Sequence, residues 1–165
     1  MSKPVYYFAY GSNLSTKRLF SRLPQAQHVG VAELFGHVLT FAMLSKDGSA
    51  KCDIKPEASD FGKVLGVIYQ LSETELSQLD CIEGERYDRV AKQVKLQSGQ
   101  QITAYCYIAN TFHSGEAPFS WYKQHVLYGA KEHNFPCNYI NHIKNQTSTQ
   151  DPDIRREKRE LEIYK

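Results

Sequence analysis

Two short stretches of the sequence could carry chemistry. The first is Tyr10-Gly11-Ser12-Asn13-Leu14, a glycine turn between an apolar, aromatic run and a stretch of helical character. Successive backbone N–H groups at such a junction can converge beside a helix N-terminus and hold an anion. The same turn serves equally well as a plain strand exit with a helix cap. The second is Asp80-Cys81-Ile82-Glu83-Gly84. Glu83 falls where a helix should stop, against the negative end of the helix dipole. That placement raises a carboxyl pKa toward the range useful for moving protons. By position alone, an exposed surface glutamate explains it too.

Three other features have simpler explanations. The six histidines show neither HxxxH nor Cys–His spacing, so no metal site is expected. Ser12 lacks the GxSxG context or paired histidine of a nucleophile. Asp80, three residues before Glu83, could share its helix face, but suits a solvent contact or a local cap better.

The elements that must position these residues can be read along the chain. Val5–Tyr10 has the composition of a buried strand. Ser15–Leu23 is helical until Pro24. Val29–Leu34 and His37–Ala42 read as strands around Phe35-Gly36, and 46–62 as loop with at most one short strand. Lys63–Leu71 is a core strand. Ser72 and Glu75 then form a capping box for a helix carrying Leu76, Leu79 and Ile82, with Gly84 as its stop. Tyr87–Leu96 and Gln101–Ile108 flank a Gln-Ser-Gly-Gln turn and predict a hairpin. Ser120–Asn134 and a segment from Pro136 to Lys144 are helices. Strands without regular βα alternation predict an α+β fold, a small mixed, mainly antiparallel β-barrel with a few peripheral helices. Residues 1–145 form the expected domain, and 146–165 a polar charged tail, flexible or a solvated helix.

Bulk properties narrow the function. The chain has 165 residues, 41% of them hydrophobic, which is enough for one domain with a real core. A net charge of +2, with the basic residues scattered, gives no electrostatic case for nucleic acid or an anionic membrane. MSKPVYYFAYGSN has no apolar h-region, and no apolar run approaches the roughly 20 residues of a membrane span. Cys52, Cys81, Cys106 and Cys137 are too widely spaced for a zinc pattern and read as free thiols in a reducing compartment. A cytoplasmic protein is expected.

Taken together, YFAYGSNL, LDCIEG, Tyr87, and YGAKEHNFP followed by Tyr139 resemble the gamma-glutamylcyclotransferases, in order from about Tyr6 to Ile143. The resemblance implies a fold with a six-stranded barrel core. It implies an enzyme in which the α-amino group of a gamma-glutamyl amide attacks its own γ-carbonyl, releasing 5-oxoproline and an amine or amino acid. Glu83 matches the catalytic glutamate, a proton shuttle. Tyr7, Phe8, Ala9, Tyr10, Gly11, Ser12, Asn13, Tyr87 and Tyr139 match the substrate-binding positions. No metal or organic cofactor is implied, and the partner is a small gamma-glutamyl substrate, bound by a monomer or homodimer. Asn13 after YGS is the pattern of the branch acting on gamma-glutamyl amino acids; a pathway-specific gamma-glutamyl intermediate is an alternative substrate. A non-catalytic binding module of the same fold is the competing reading, and Glu83 argues against it, because a binder of carboxylates has no use for another anion in its pocket.

Overall fold

A computed structural model of the chain describes residues 3–165. Five strands, β1 (Val5–Ala9), β2 (Gln27–Phe35), β5 (Lys63–Leu71), β6 (Tyr87–Leu96) and β7 (Gln101–Ala109), close into a barrel in the order β1-β5-β2-β6-β7. All pairings are antiparallel except the closing one, where β7 meets β1 in parallel through Tyr105 and Tyr7. The remaining strands, β3 (His37–Leu44) and β4 (Ala50–Pro56), form a separate two-stranded ribbon with a bulge between Thr40 and Met43.

The barrel thus has five strands rather than the six that the family resemblance implied. The reason is local. After β2, Gly36 takes a φ of 73° and turns the chain out of the sheet, so β3 pairs with β4 instead of continuing the barrel. The polar segment 46–62, expected mainly as loop, supplies β4 because Ala50, Cys52 and Ile54 are buried against the rest of the fold.

The centre of the barrel is β5, whose apolar run VLGVIY is buried on both faces. Such a run needs a neighbour on either side of the sheet, and it finds them in the barrel interior and the outer layer. Gly66 is required there by close approach: a Cβ would lie 2.3 Å from the Phe8 ring. Phe8, Ile68, Leu79 and Leu14 are fully buried, each contributing about 1.5–3 kcal/mol relative to exposure.

Among the described residues five α-helices surround the barrel: α1 (Thr16–Arg22), α2 (Glu73–Glu83), α3 (Ser120–Glu132), α4 (Cys137–Asn145) and α5 (Ile154–Leu161). The capping box of α2 is present, Ser72 accepting from the Glu75 N–H while the Glu75 carboxylate takes the Ser72 N–H. Its last residue is Glu83, stopped by Gly84 at φ 79°. On the other side, α3 lies hard against the glycine turn, since a Cβ on Gly129 would come within 2.4 Å of the Leu14 Cβ.

The C-terminal segment differs from a flexible tail. It forms α5 and a 3-10 turn, Glu162–Tyr164, and is tied down at both ends. Asp151 is buried and accepts from the Trp121 indole at 2.7 Å, and Tyr164 reaches His125 at 2.6 Å.

Candidate active site

At the top of β1 the chain leaves the barrel through Tyr10 and Gly11, then makes a single 3-10 turn, Ser12–Leu14, before α1. The N–H groups of Leu14 and Ser15 close back on the carbonyls of Gly11 and Ser12. The turn's own bonds therefore leave the N–H groups of Ser12 and Asn13 for another acceptor. Gly11 has an ordinary negative φ of −109°, so its role is steric. An added Cβ would sit 3.1 Å from the Cys52 Cβ and 3.2 Å from the Tyr122 hydroxyl.

Facing this turn is the C-terminal end of α2. Asn13 donates from Nδ2 to Glu83 Oε1 and to the Tyr7 hydroxyl, each at 3.1 Å, while its Oδ1 accepts from Arg22 at 3.3 Å. Glu83 as a whole is partly exposed, but its carboxyl group is packed round by protein atoms. Burial pushes its pKa above the ordinary carboxylate value, and the charges of Arg22 and Arg18 and the Asn13 hydrogen bond pull the other way. Burial wins. The sequence reading placed the cause in the helix dipole; the larger cause is desolvation.

Around the two lie phenols and a thiol. Tyr7, Tyr10, Gly11, Ser12, Asn13, Cys52, Glu83, Tyr87, Tyr107 and Tyr122 line one narrow recess of about 30 Å³. That is well below the roughly 300–1,000 Å³ typical of small-molecule sites, so a substrate must also occupy the space the recess opens into. Tyr10 donates to the Tyr107 carbonyl and Tyr87 to the Cys52 carbonyl, while Tyr122 accepts from the Cys52 N–H at 2.9 Å. Burial holds the tyrosine pKa values above their ordinary range and lifts Cys52 to about 12. The phenols stay neutral and the thiol stays protonated, so they act as walls and hydrogen-bonding groups. Glu83 is the one carboxyl group on this lining.

Of the residues singled out from sequence, seven meet here: Tyr7, Tyr10, Gly11, Ser12, Asn13, Glu83 and Tyr87. Phe8 and Ala9 are in the core instead, with no exposed surface. Tyr139 packs on Phe135 and takes the Leu65 N–H at 3.2 Å, away from the recess lining. Asp80 accepts from Tyr107 at 2.8 Å and from Arg89 at 2.6 Å, outside the recess. Sequence reading missed Cys52, Tyr107, Tyr122, Arg18 and Arg22. Only Arg22 carried a usable signal, a cation in the last turn of the helix following the glycine turn; the others come from β4, β7, α3 and mid-helix. Among the described residues no group of three His, Cys, Asp or Glu could hold a metal ion.

Known proteins resemble the chain along most of its length. The gamma-glutamylcyclotransferase of Homo sapiens is 32% identical over 84% of this chain and 76% of its own. That of Bos taurus is 33% identical over 81% and 73%. The chain belongs to the gamma-glutamylcyclotransferase family. A solved gamma-glutamyl cyclotransferase structure superposes with a TM-score of 0.80 at 28% identity, covering 89% of this chain and 90% of that one. The AIG2-like family matches residues 63–143, the stretch from β5 to α4 that contains Glu83. Among the described residues no helix is long and apolar enough to cross a membrane.

This cyclotransferase-family recess opens beside a wider vestibule of about 340 Å³, which shares Ser12, Glu83, Tyr87 and Tyr122 with it. Five cations line the vestibule. Arg18, Lys51 and Arg156 are paired with Glu160, Asp47 and Asp151 respectively. Arg22 and Lys46 have no carboxylate within 4.0 Å among the described residues.

Proposed function

We propose that the protein is a gamma-glutamylcyclotransferase that converts gamma-glutamyl amino acids to 5-oxoproline and the free amino acid. One observation carries the reading. A single desolvated carboxyl, Glu83, is hydrogen-bonded to the same turn whose free N–H groups can hold a substrate anion. The substrate brings its own nucleophile, so the site has to fold it into an attack-ready conformer and move protons. Ionised Glu83 takes a proton from the α-ammonium. The freed nitrogen attacks the γ-carbonyl carbon, forming the new C–N bond and placing negative charge on the carbonyl oxygen. Backbone N–H groups of the turn, or a tyrosine hydroxyl, stabilise that charge. The carboxyl returns a proton to the departing nitrogen as the old C–N bond breaks. Net, two protons pass from the attacking nitrogen to the leaving one when the product departs as its ammonium.

The unpaired cations Arg22 and Lys46 in the vestibule support a leaving group that bears a carboxylate. The four free cysteines support a reducing compartment, and the cytoplasm is where we place the reaction. The test is a panel of gamma-glutamyl amino acids and gamma-glutamyl amines, with 5-oxoproline detected by mass spectrometry and Glu83→Gln run beside the wild type. Glu83→Gln keeps the shape without the proton, so turnover should fall roughly 10²–10⁴-fold. Full turnover in that variant removes Glu83 from the mechanism. No release from any substrate, together with saturable 5-oxoproline binding, turns the protein into a binding module.

A further inference from the structure

Helix α5 has no fully buried residue, and eight residues of isolated helix are marginal in water. Only Leu161 packs partly against the core. What holds the segment is the stacking of Tyr164 on Tyr128, with ring centroids 4.0 Å apart, and a set of polar contacts, of which several lead to the glycine turn. Arg18, a residue only 7% exposed, donates from Nε to Ser12 Oγ at 3.2 Å and from a terminal nitrogen to His125 Nε2 at 2.9 Å. The same terminal nitrogen donates to Glu160 of α5. His125 Nε2 also lies 3.2 Å from the Glu160 carboxylate, so Arg18, His125 and Glu160 meet at one point. On the other side of the ring, Nδ1 lies 2.6 Å from the Tyr164 hydroxyl, which donates to Ser15 Oγ at 2.9 Å. Both ends of the turn, Ser12 and Ser15, are thus tied to the last twelve residues of the chain.

We propose that the C-terminal segment is a working part of the catalytic site, with Glu160 as the positioning residue that holds Arg18 against Ser12 and offsets its charge beside Glu83. A buried guanidinium needs a counter-charge, and Glu160 is the carboxylate paired with Arg18 among the described residues. Glu83 is faced by Tyr7 from β1, Arg18 and Arg22 from α1, Tyr87 from β6, Tyr107 from β7 and Tyr122 from α3. Only the two arginines among these are charged at neutral pH. Any change in how well Arg18 is neutralised therefore reaches Glu83 directly.

The kinetic consequences rest on the cyclotransferase reading; the ordering of the turn does not. The experiment compares full-length Glu160→Gln, Glu160→Asp, Arg18→Gln and the exposed control Lys158→Gln. In Glu160→Gln the Arg18 charge is no longer offset, so the acid limb of kcat/KM should move to lower pH, and in Arg18→Gln to higher pH. Displacement of the turn should lower kcat/KM roughly 10–100-fold in Glu160→Gln, with partial rescue in Glu160→Asp and none needed in Lys158→Gln. An acid limb unmoved in a folded Glu160→Gln overturns the proposal, whatever the size of the activity loss. Amide hydrogen exchange at residues 11–15 supplies a second readout that needs no turnover. Faster exchange in Glu160→Gln supports the proposal, and unchanged exchange overturns it, even where the wild type releases no 5-oxoproline.

Discussion

Asn13 works as a two-sided connector at the centre of the site. Arg22 can only donate, which fixes Oδ1 toward it and leaves both amide hydrogens for Tyr7 and Glu83. The hydrogen bond to Glu83 favours the ionised carboxyl against the burial that opposes it. Asn13→Ala should therefore raise the Glu83 pKa further and shift the acid limb of kcat/KM upward. A lost hydrogen bond to a charged group is worth about 1.5–3 kcal/mol, or roughly 10–100-fold in kcat/KM. A pH–rate profile with an unmoved limb would show that this bond does not tune the base. Gly11→Ala tests the turn by size alone. The new methyl must displace Cys52 or the Tyr122 hydroxyl by a few tenths of an ångström, and steady-state kinetics should show a raised KM. At this scale the glycine turn and Glu83 could be found in the sequence because each stands in a contiguous motif. Tyr107, Tyr122 and Cys52 could not, because an aromatic or a thiol in a strand or helix looks like core until the fold shows a cavity beside it.

Two helices fix the geometry between those residues, by different means. Helix α2 delivers Glu83 because its capping box sets the start and Gly84 sets the end. Both signals are local, so the helix and its last residue were legible in the sequence. So was the β6–β7 hairpin, whose turn residues lie next to each other in the chain. The pairing of β2 with β5 and β6, and of β3 with β4, was not, since adjacency in sequence suggested that β2 and β3 run together. Helix α3 acts by close contact. At Gly129 an added Cβ would lie 2.5 Å from backbone atoms of Leu14 and Ser15, which cannot swing away as a side chain can. Gly129→Ala should force α3 and the turn apart, costing about 1–3 kcal/mol in a denaturant titration and raising KM as the turn shifts. Unaltered stability and KM would mean that the helix and turn are not rigidly coupled. Nothing in the sequence near Gly129 announces this contact, because its partner is more than a hundred residues away.

The whole molecule is a barrel with a helical layer closed by its own C-terminus, and acid should separate these two parts. His125 is held by burial at about 4, below its ordinary value, so its contribution is complete above pH 6.5 and is lost as pH falls toward 4. Burial raises the pKa of Glu160, but His125 and Arg18 outweigh it and bring it to about 2. Its contribution is present above pH 4.5 and disappears toward pH 2. The hydrogen bonds from Arg156 hold Asp151 well below the ordinary carboxylate range, which adds a loss of the same sign below pH 3.8. Glu83 runs the other way. Its raised pKa means that its contribution is full below pH 4.5 and is lost as pH rises through the folded value, so acid relieves the barrel while it loosens the segment. The charged composition of 151–165 suggested solvation, because charged side chains reveal their partners only once the fold brings Arg18, Trp121 and His125 to meet them. Trp121 is the chain's one tryptophan and donates to Asp151, so its emission reports the docked segment. Acid titration should give a Trp121 fluorescence transition that begins below pH 6.5 and precedes loss of far-UV circular dichroism from the strands. Coincident transitions would mean that the C-terminal segment and the barrel unfold as one cooperative unit, and that the site cannot be opened from this end alone.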